Sequence, residues 1–363
     1  MIRKKILIAT GGTGGHVFPA YALANYLKGK NYDLQLTTDS RGYFYLKEHK
    51  SLNLVKLPSS PLEKKNLFKL LFSFLVIMFS IIRSLLFLLN NRPSIIFGMG
   101  GYSSFPICIA ASILRIKFII YENNLIIGKA NKYLLPFAKK ILVSYEELEG
   151  IPEKYKSKVI QIGNIVREEI IKTDQSTSTS KLDTLKILIL GGSQAAKVFA
   201  EKLPQILKQL KNSKIPIKVY QQCQKGQNGK LIEFYQNYKV DCEVFNFTDK
   251  IIKYYSKSNL VITRSGASVL GELINFKIPF ICIPLPTSAD NHQYKNAEFY
   301  LKKGCGFIVE EKDIDYELYN LIKRIFYEKS LVNNILSNQR QYSDKNIFIN
   351  LKTYIEKIIN EKN

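Results

Sequence analysis

The sequence predicts an α/β protein built from two doubly wound parallel-sheet domains, and three observations predict it. The chain has 363 residues, enough for two α/β domains with substantial cores. Short apolar, β-branched runs alternate with helix-length segments, the pattern of βαβ units. A polar stretch of small residues, Thr173 to Ser180, divides the runs into two series. The first series places strands near 4–10, 33–38, 94–99, 117–122 and 140–144. The second places them near 185–190, 217–222, 242–247, 259–263, 279–283 and 306–310. Open parallel sheets bind ligands beyond the carboxyl ends of their strands, so the loops after these strands are where chemistry is sought.

Composition narrows the function classes. The chain is 46% apolar and 23% charged, an ordinary globular balance. Its 53 Lys+Arg against 30 Asp+Glu give a formal charge of +23, which suits an anionic partner. Lysines are spread along the whole chain, so compositional bias carries most of that total. No nucleic-acid motif accompanies the charge, and no nucleic-acid partner is expected. Five cysteines without a CxxC pair, mostly beside apolar runs, argue against a disulfide framework or zinc cluster and for a reducing cytoplasm. The basic and apolar start, Met1 to Ala9, runs at once into glycines and reads as a first strand, not an export signal.

Residues 67–89 are almost continuously apolar, interrupted by Lys69 and Arg83 and flanked by Lys64, Lys65 and Arg92. The longest uncharged piece, Leu70 to Ile82, is short for a membrane span. A buried crossover helix would keep a polar face, and little of one is visible here. A helix lying on an anionic membrane surface fits better.

Strand 4–10 runs into Gly11-Gly12-Thr13-Gly14-Gly15-His16, with a helix expected near Pro19. Such a loop admits a ligand close to the backbone, and a helix start supplies amides for an anion. Read as a dinucleotide fingerprint, with Asp39 for the ribose, it fails. Val17 stands at the third glycine position and Asp39 lies too far downstream. His16 can take a proton from an acceptor hydroxyl, or merely pack beneath the loop. Further glycine loops follow at 98–101, 191–192 and 264–268. In the last, backbone amides at Ser265 to Ser268 suit a diphosphate. Glu272, one turn on, either accepts ribose hydroxyls or completes a cap with the serines. Asp290, Asn291, His292 and Gln293 close the series with donors and acceptors suited to sugar hydroxyls.

Seven stretches, in order, carry a resemblance: GGTGGHVFPA, GMGGYSSFP, YENNLIIGKANKYL, GNIVR, GGSQAA, TRSGASVLGEL and DNHQYKNA. From Gly11 to Ala297 the chain resembles the MurG family, UDP-N-acetylglucosamine transferases that complete the lipid-linked peptidoglycan precursor. The resemblance implies a GT-B fold, two Rossmann-like domains with an inter-domain cleft. The expected division is 1–163 and 164–344, with a last helix over 345–363 packing back on the N-terminal domain. It implies His16 as general base, with Thr13, Gly14 and Gly15 near donor and acceptor. Asn124 would contact the transferred sugar, Arg167 and Ser193 the diphosphate, and the backbone near Thr248 the uracil. Ala267, Ser268 and Val269 would cover the phosphates, Glu272 the ribose, and Gln293 with His292 the sugar hydroxyls. Phe105, Ala195, Ile165 and Asn123 depart from the family pattern.

The implied reaction is inverting transfer of GlcNAc from UDP-GlcNAc to the C4 hydroxyl of MurNAc in undecaprenyl-linked lipid I, forming lipid II. It needs no metal or cofactor. The implied place is the cytoplasmic face of the plasma membrane, held peripherally. A related transferase acting on diacylglycerol, a UDP-sugar epimerase and a non-catalytic nucleotide-binding scaffold remain alternatives. The pair Asp313 and Asp315 spells a DxD motif but reads as a solvated helix start.

Overall fold

The computed structural model describes residues 3–49, 51–61, 66–173, 183–192, 196–344 and 346–361. Contacts divide the chain into two units, one of Met1–Glu168 with Asn346–Asn363 and one of Glu169–Lys345.

Unit 1 runs β1 (Lys5–Ala9), α1 (Gly14–Lys28), β2 (Asp33–Thr38), α2 (Ser40–Leu46), β3 (Leu54–Lys56), α3 (Leu67–Asn90) and β4 (Ile95–Gly98). It continues with α4 (Ser104–Ile113), β5 (Phe118–Glu122), α5 (Lys129–Leu134), β6 (Lys140–Val143) and β7 (Val159–Gln161). Its strands form one parallel sheet in the order β3-β2-β1-β4-β5-β6-β7. After α6 (Glu168–Lys172), unit 2 repeats the plan with β8 (Leu185–Leu190), α7 (Lys197–Asn212), β9 (Ile217–Gln222), α8 (Asn228–Asn237) and β10 (Asp241–Phe245). Then come α9 (Ile251–Lys257), β11 (Leu260–Thr263), α10 (Ala267–Phe276), β12 (Phe280–Cys282), α11 (His292–Lys302), β13 (Phe307–Ile308), α12 (Ile314–Tyr327) and α13 (Lys329–Gln341). Its parallel sheet has the order β10-β9-β8-β11-β12-β13. Both sheets therefore start in the middle and reverse direction, β1 beside β4 and β8 beside β11. Crevices for ligands form at such reversals. Central strands are buried on both faces, which is why they read as unbroken apolar runs.

The eleven expected strands all form, and two three-residue edge strands, β3 and β7, appear that the sequence does not announce. Three residues are too few to display a period. One boundary moves: α1 begins at Gly14, not near Pro19, which lies inside it. Proline has no N–H for the Gly15 carbonyl one turn back. The Asn123 side-chain amide donates to that carbonyl instead, at 2.6 Å, so the helix absorbs its proline by borrowing a donor from the loop after β5.

Helix α3 inverts the usual arrangement. It buries Ser73, Ser80, Ser84 and Leu88, while Phe68, Phe72, Phe74, Leu75 and Phe79 are exposed. Serines leave room for close approach, and α3 packs on α4 through this narrow face. The 24-residue helix is long and apolar enough to cross a membrane by length and composition. Lys69 and Arg83 both lie on its exposed surface. Lys64 and Lys65 fall outside the described residues.

The last helix, α14 (Ile347–Asn360), belongs to unit 1. Phe348 stacks on Tyr26 of α1 at 4.5 Å, and Glu361 pairs with Lys139 at 3.0 Å. All five cysteines carry unbonded thiols, and burial pushes Cys108 and Cys282 up.

Candidate active site

In unit 1 the loops after β1 and β4 meet at the sheet reversal. Asp39, the N-cap of α2, accepts from the Gly42 amide at 2.8 Å and from the Gly12 amide at 3.0 Å. The carboxylate dismissed as a ribose ligand thus pins the first glycine loop. Gly11 has no space for a side chain, because a Cβ there would sit 2.0 Å from Ser103 Oγ. Thr13 is the exposed N-cap of α1, followed by Gly14, Gly15 and His16 in its first turn.

His16 Nδ1 lies 3.0 Å from the Met99 carbonyl. A carbonyl only accepts, so Nδ1 carries the hydrogen and the neutral ring keeps its lone pair on Nε2. The ring rests on the second glycine loop. A Cβ at Gly100, whose φ is +83°, would come within 2.9 Å of its Nδ1 and Cε1. These glycines are a seat for an imidazole rather than a phosphate cradle.

Glu122 is 1% exposed. Its carboxylate accepts from the Asn124 amide and side chain at 3.0 Å each, the Gly128 amide at 2.8 Å and Asn131 Nδ2 at 2.9 Å. A buried carboxylate surrounded by N–H donors stays satisfied without a countercharge. Here it fixes Asn124, whose neighbour Asn123 reaches back to Gly15. Arg167 is nearly buried, its guanidinium 5.0 Å from the Phe18 ring centre, and contacts place it in unit 1.

In unit 2 the carboxyl ends of β8 and β11 lie side by side, with the Arg264 amide donating to the Leu190 carbonyl at 3.2 Å. Helix α10 starts at Ala267, Ser268 and Val269, with Gly266 at its N-cap. A helix start of this kind carries the positive end of the helix dipole, an end suited to an anion. Glu272 is buried in the first half of α10. It accepts from the Tyr255 hydroxyl at 2.9 Å. Gln293 accepts from the Leu285 amide at 3.0 Å, and His292 Nδ1 donates to the Ala289 carbonyl at 2.7 Å. Asn296 ties this segment to the Ser265 carbonyl at 3.3 Å. Thr248 Oγ1 accepts from the Lys250 amide at 3.1 Å in the loop before α9. Ser193 and Ala195 lie outside the described residues. Asp315 pairs with Lys202 at 2.6 Å, and Asp313 stands at the N-cap of α12, so the DxD pair is spent on a helix start.

The two glycine-loop units correspond to two family models. Residues 6–143 match the glycosyltransferase family 28 N-terminal domain, and residues 186–348 match its C-terminal domain. A curated protein of Pelagibacter ubique is 36% identical, covering 99% of this chain and 100% of its own length. It is named UDP-N-acetylglucosamine--N-acetylmuramyl-(pentapeptide) pyrophosphoryl-undecaprenol N-acetylglucosamine transferase. The chain belongs to glycosyltransferase family 28. A protein of the same name from Rickettsia felis is 38% identical over 86% of this chain and 88% of its own. The crystal structure of Acinetobacter baumannii MurG superposes with a TM-score of 0.74 at 23% identity, covering 98% and 99% of the two chains. Family 28 enzymes of this kind have the GT-B fold, and the two sheets here follow it.

Sequence reasoning missed three side chains that hold these loops. Asp39 was tested for the wrong role, and Glu122 went unnoticed beside the Asn124 it holds. Arg264, 6% exposed, donates to the Ile283 and Pro284 carbonyls at 3.0 and 3.1 Å and pairs with Glu311. It anchors the strand end that leads to His292 and Gln293. Nothing in its local pattern marks it, since its partners lie some twenty and forty-seven residues away.

Proposed function

We propose that the protein transfers N-acetylglucosamine from UDP-GlcNAc to the C4 hydroxyl of MurNAc in undecaprenyl-diphospho-MurNAc-pentapeptide, forming the disaccharide-linked peptidoglycan precursor. The end-to-end match to the Pelagibacter ubique transferase carries this reading. In the proposed step His16 Nε2 takes the acceptor proton, an effect of about 10²–10⁴ in rate. Its readiness comes from Nδ1–H donation to Met99, which presets the tautomer. The hydroxyl displaces UDP from the anomeric carbon in one inverting step through an oxocarbenium-like state. Charge growing on the leaving diphosphate meets Arg167 and the α10 amides at Ala267, Ser268 and Val269. Ser193 is assigned to the same group. Glu272 takes the ribose hydroxyls, the backbone near Thr248 the uracil, and Asn124, Gln293 and His292 the sugar. Thr13, Gly14 and Gly15 line the path beside His16.

The outward phenylalanines of α3 support attachment to a membrane surface, where the lipid-linked acceptor resides. The serine face is already taken by α4, so α3 lies along the bilayer with its other side in lipid. The cytoplasmic face is the assigned side, where UDP-sugars are available.

The test is UDP release from UDP-GlcNAc, with and without the lipid-linked MurNAc-pentapeptide, for wild type and His16→Ala. Acceptor-dependent release that falls at least a hundredfold in the variant supports the proposal. Release that ignores this acceptor and responds to diacylglycerol overturns the acceptor. Donor binding without any turnover overturns catalysis altogether.

A further inference from the structure

We propose that Tyr255 is a positioning residue for the donor, setting the Glu272 carboxylate for the ribose and coupling it to the loop assigned to the base. This rests on the reading of Glu272 as the ribose ligand. The argument begins with α9, which carries two consecutive tyrosines. Successive helical residues point about 100° apart, so Tyr254 and Tyr255 face different neighbours. Tyr254 turns to β10: its ring stacks on Phe245 at 4.1 Å and its hydroxyl donates to Glu243 at 2.8 Å. Tyr255 turns to α10 and is 1% exposed. Its ring meets Phe276 at 5.5 Å, and its hydroxyl donates to Glu272 Oε2 at 2.9 Å. Phe276 and Glu272 stand one turn apart on α10, so one side chain grips that helix both by its ring and by its hydroxyl.

The consequences are specific. A phenolic O–H donates in one direction to an ionised carboxylate, a charge-assisted bond that fixes the orientation of the acceptor. A carboxylate that accepts two vicinal hydroxyls must hold that orientation before the ligand arrives, or lose affinity to ordering it. Helix α9 also follows directly on the Phe245–Lys250 segment that contains Thr248. Tyr255 therefore joins the segment read as facing uracil to the helix read as holding ribose and phosphate, so the nucleoside is recognised as one unit.

The experiment measures calorimetric affinity for UDP and for 2′-deoxy-UDP. The proteins are wild type, Tyr255→Phe, Glu272→Gln and Phe276→Leu, with melting curves for each. Tyr255→Met is a second hydroxyl-free variant should the first fold poorly. The expected result is that Tyr255→Phe binds UDP about tenfold more weakly, about 1.4 kcal/mol, and 2′-deoxy-UDP less than twofold more weakly. Phe276→Leu disturbs the same packing without the hydroxyl and weakens both ligands equally. Should Tyr255→Phe lose both equally, or neither, the positioning role is overturned while Glu272 keeps its own. Should Glu272→Gln still prefer UDP as wild type does, the ribose reading beneath it fails as well.

Discussion

The crossover from the third strand to the fourth is made by α3 in unit 1 and by α9 in unit 2, and the two helices are opposites. Helix α9 has seven residues, turns Ile251, Tyr254 and Tyr255 inward, and leaves Lys253, Ser256 and Lys257 outside. Helix α3 has 24 residues, turns serines inward, and leaves phenylalanines outside. Both obey the helical period, so period alone tells which residues share a face. Which face is apolar depends on what lies beyond it, protein or a different solvent. The position is the same in the two sheets. In unit 2 it is spent on gripping α10 through Tyr255, and in unit 1 on an exposed apolar surface.

On the proposed function, the proton acceptor and membrane retention fall to unit 1 and most donor contacts to unit 2, and substitutions can break that division. The largest effect is expected from His16→Ala, with kcat down about 10²–10⁴ and UDP affinity unchanged by calorimetry. An equal loss of UDP affinity would merge the two roles. Next is the triple change of Phe68, Phe72 and Phe79 to Gln. At about 1.5–3 kcal/mol for each buried phenylalanine, retention on phosphatidylglycerol vesicles should fall a hundredfold or more in flotation assays. The melting temperature should hold or rise, because these side chains leave water rather than a core. A drop of several degrees would mean that α3 is an ordinary packed helix. Glu272→Ala should raise the donor KM about tenfold, roughly 1.4 kcal/mol, with kcat within a few fold. The smallest effect is that of Asp39→Ala. Loss of the α2 cap should cost about 0.5–2 kcal/mol of stability, and the loosened Gly12 loop should lower kcat a few fold without touching donor KM.

The strand series was legible because buried parallel strands are continuous apolar runs, and β1 through Ile6, Leu7 and Ile8 is the plainest case. Glycine loops located the two sheet reversals for the same reason: backbone conformation is written locally. What a carboxylate does is not. Asp39 reaches Gly12 across 27 residues, and Glu122 gathers donors from Asn124, Gly128 and Asn131 on the stretch that follows it. The first lies beyond any local window, and the second lies within one but has no motif to mark it. Pro19 misled because its usual place is a first turn, and only Asn123, from another strand end, makes its interior position acceptable. The serines of α3 looked too few to be a face, yet they are the face, because contact with α4 asks for small side chains rather than apolar ones.

The return of α14 to unit 1 has a consequence for how the molecule is made. The helix that stacks Phe348 on Tyr26 leaves the ribosome only after all of Glu169–Lys345. At ~5–20 residues per second, the first-made unit waits roughly ten to thirty-five seconds for its final piece. During that interval it has a helix-sized bare strip beside α1 as well as the outward phenylalanines of α3. A nascent chain in this condition gains from early capture, and the apolar helix is already available to a nearby bilayer while the second half is still being synthesised. On the proposed function, attachment precedes completion, and the last helix closes the domain afterwards.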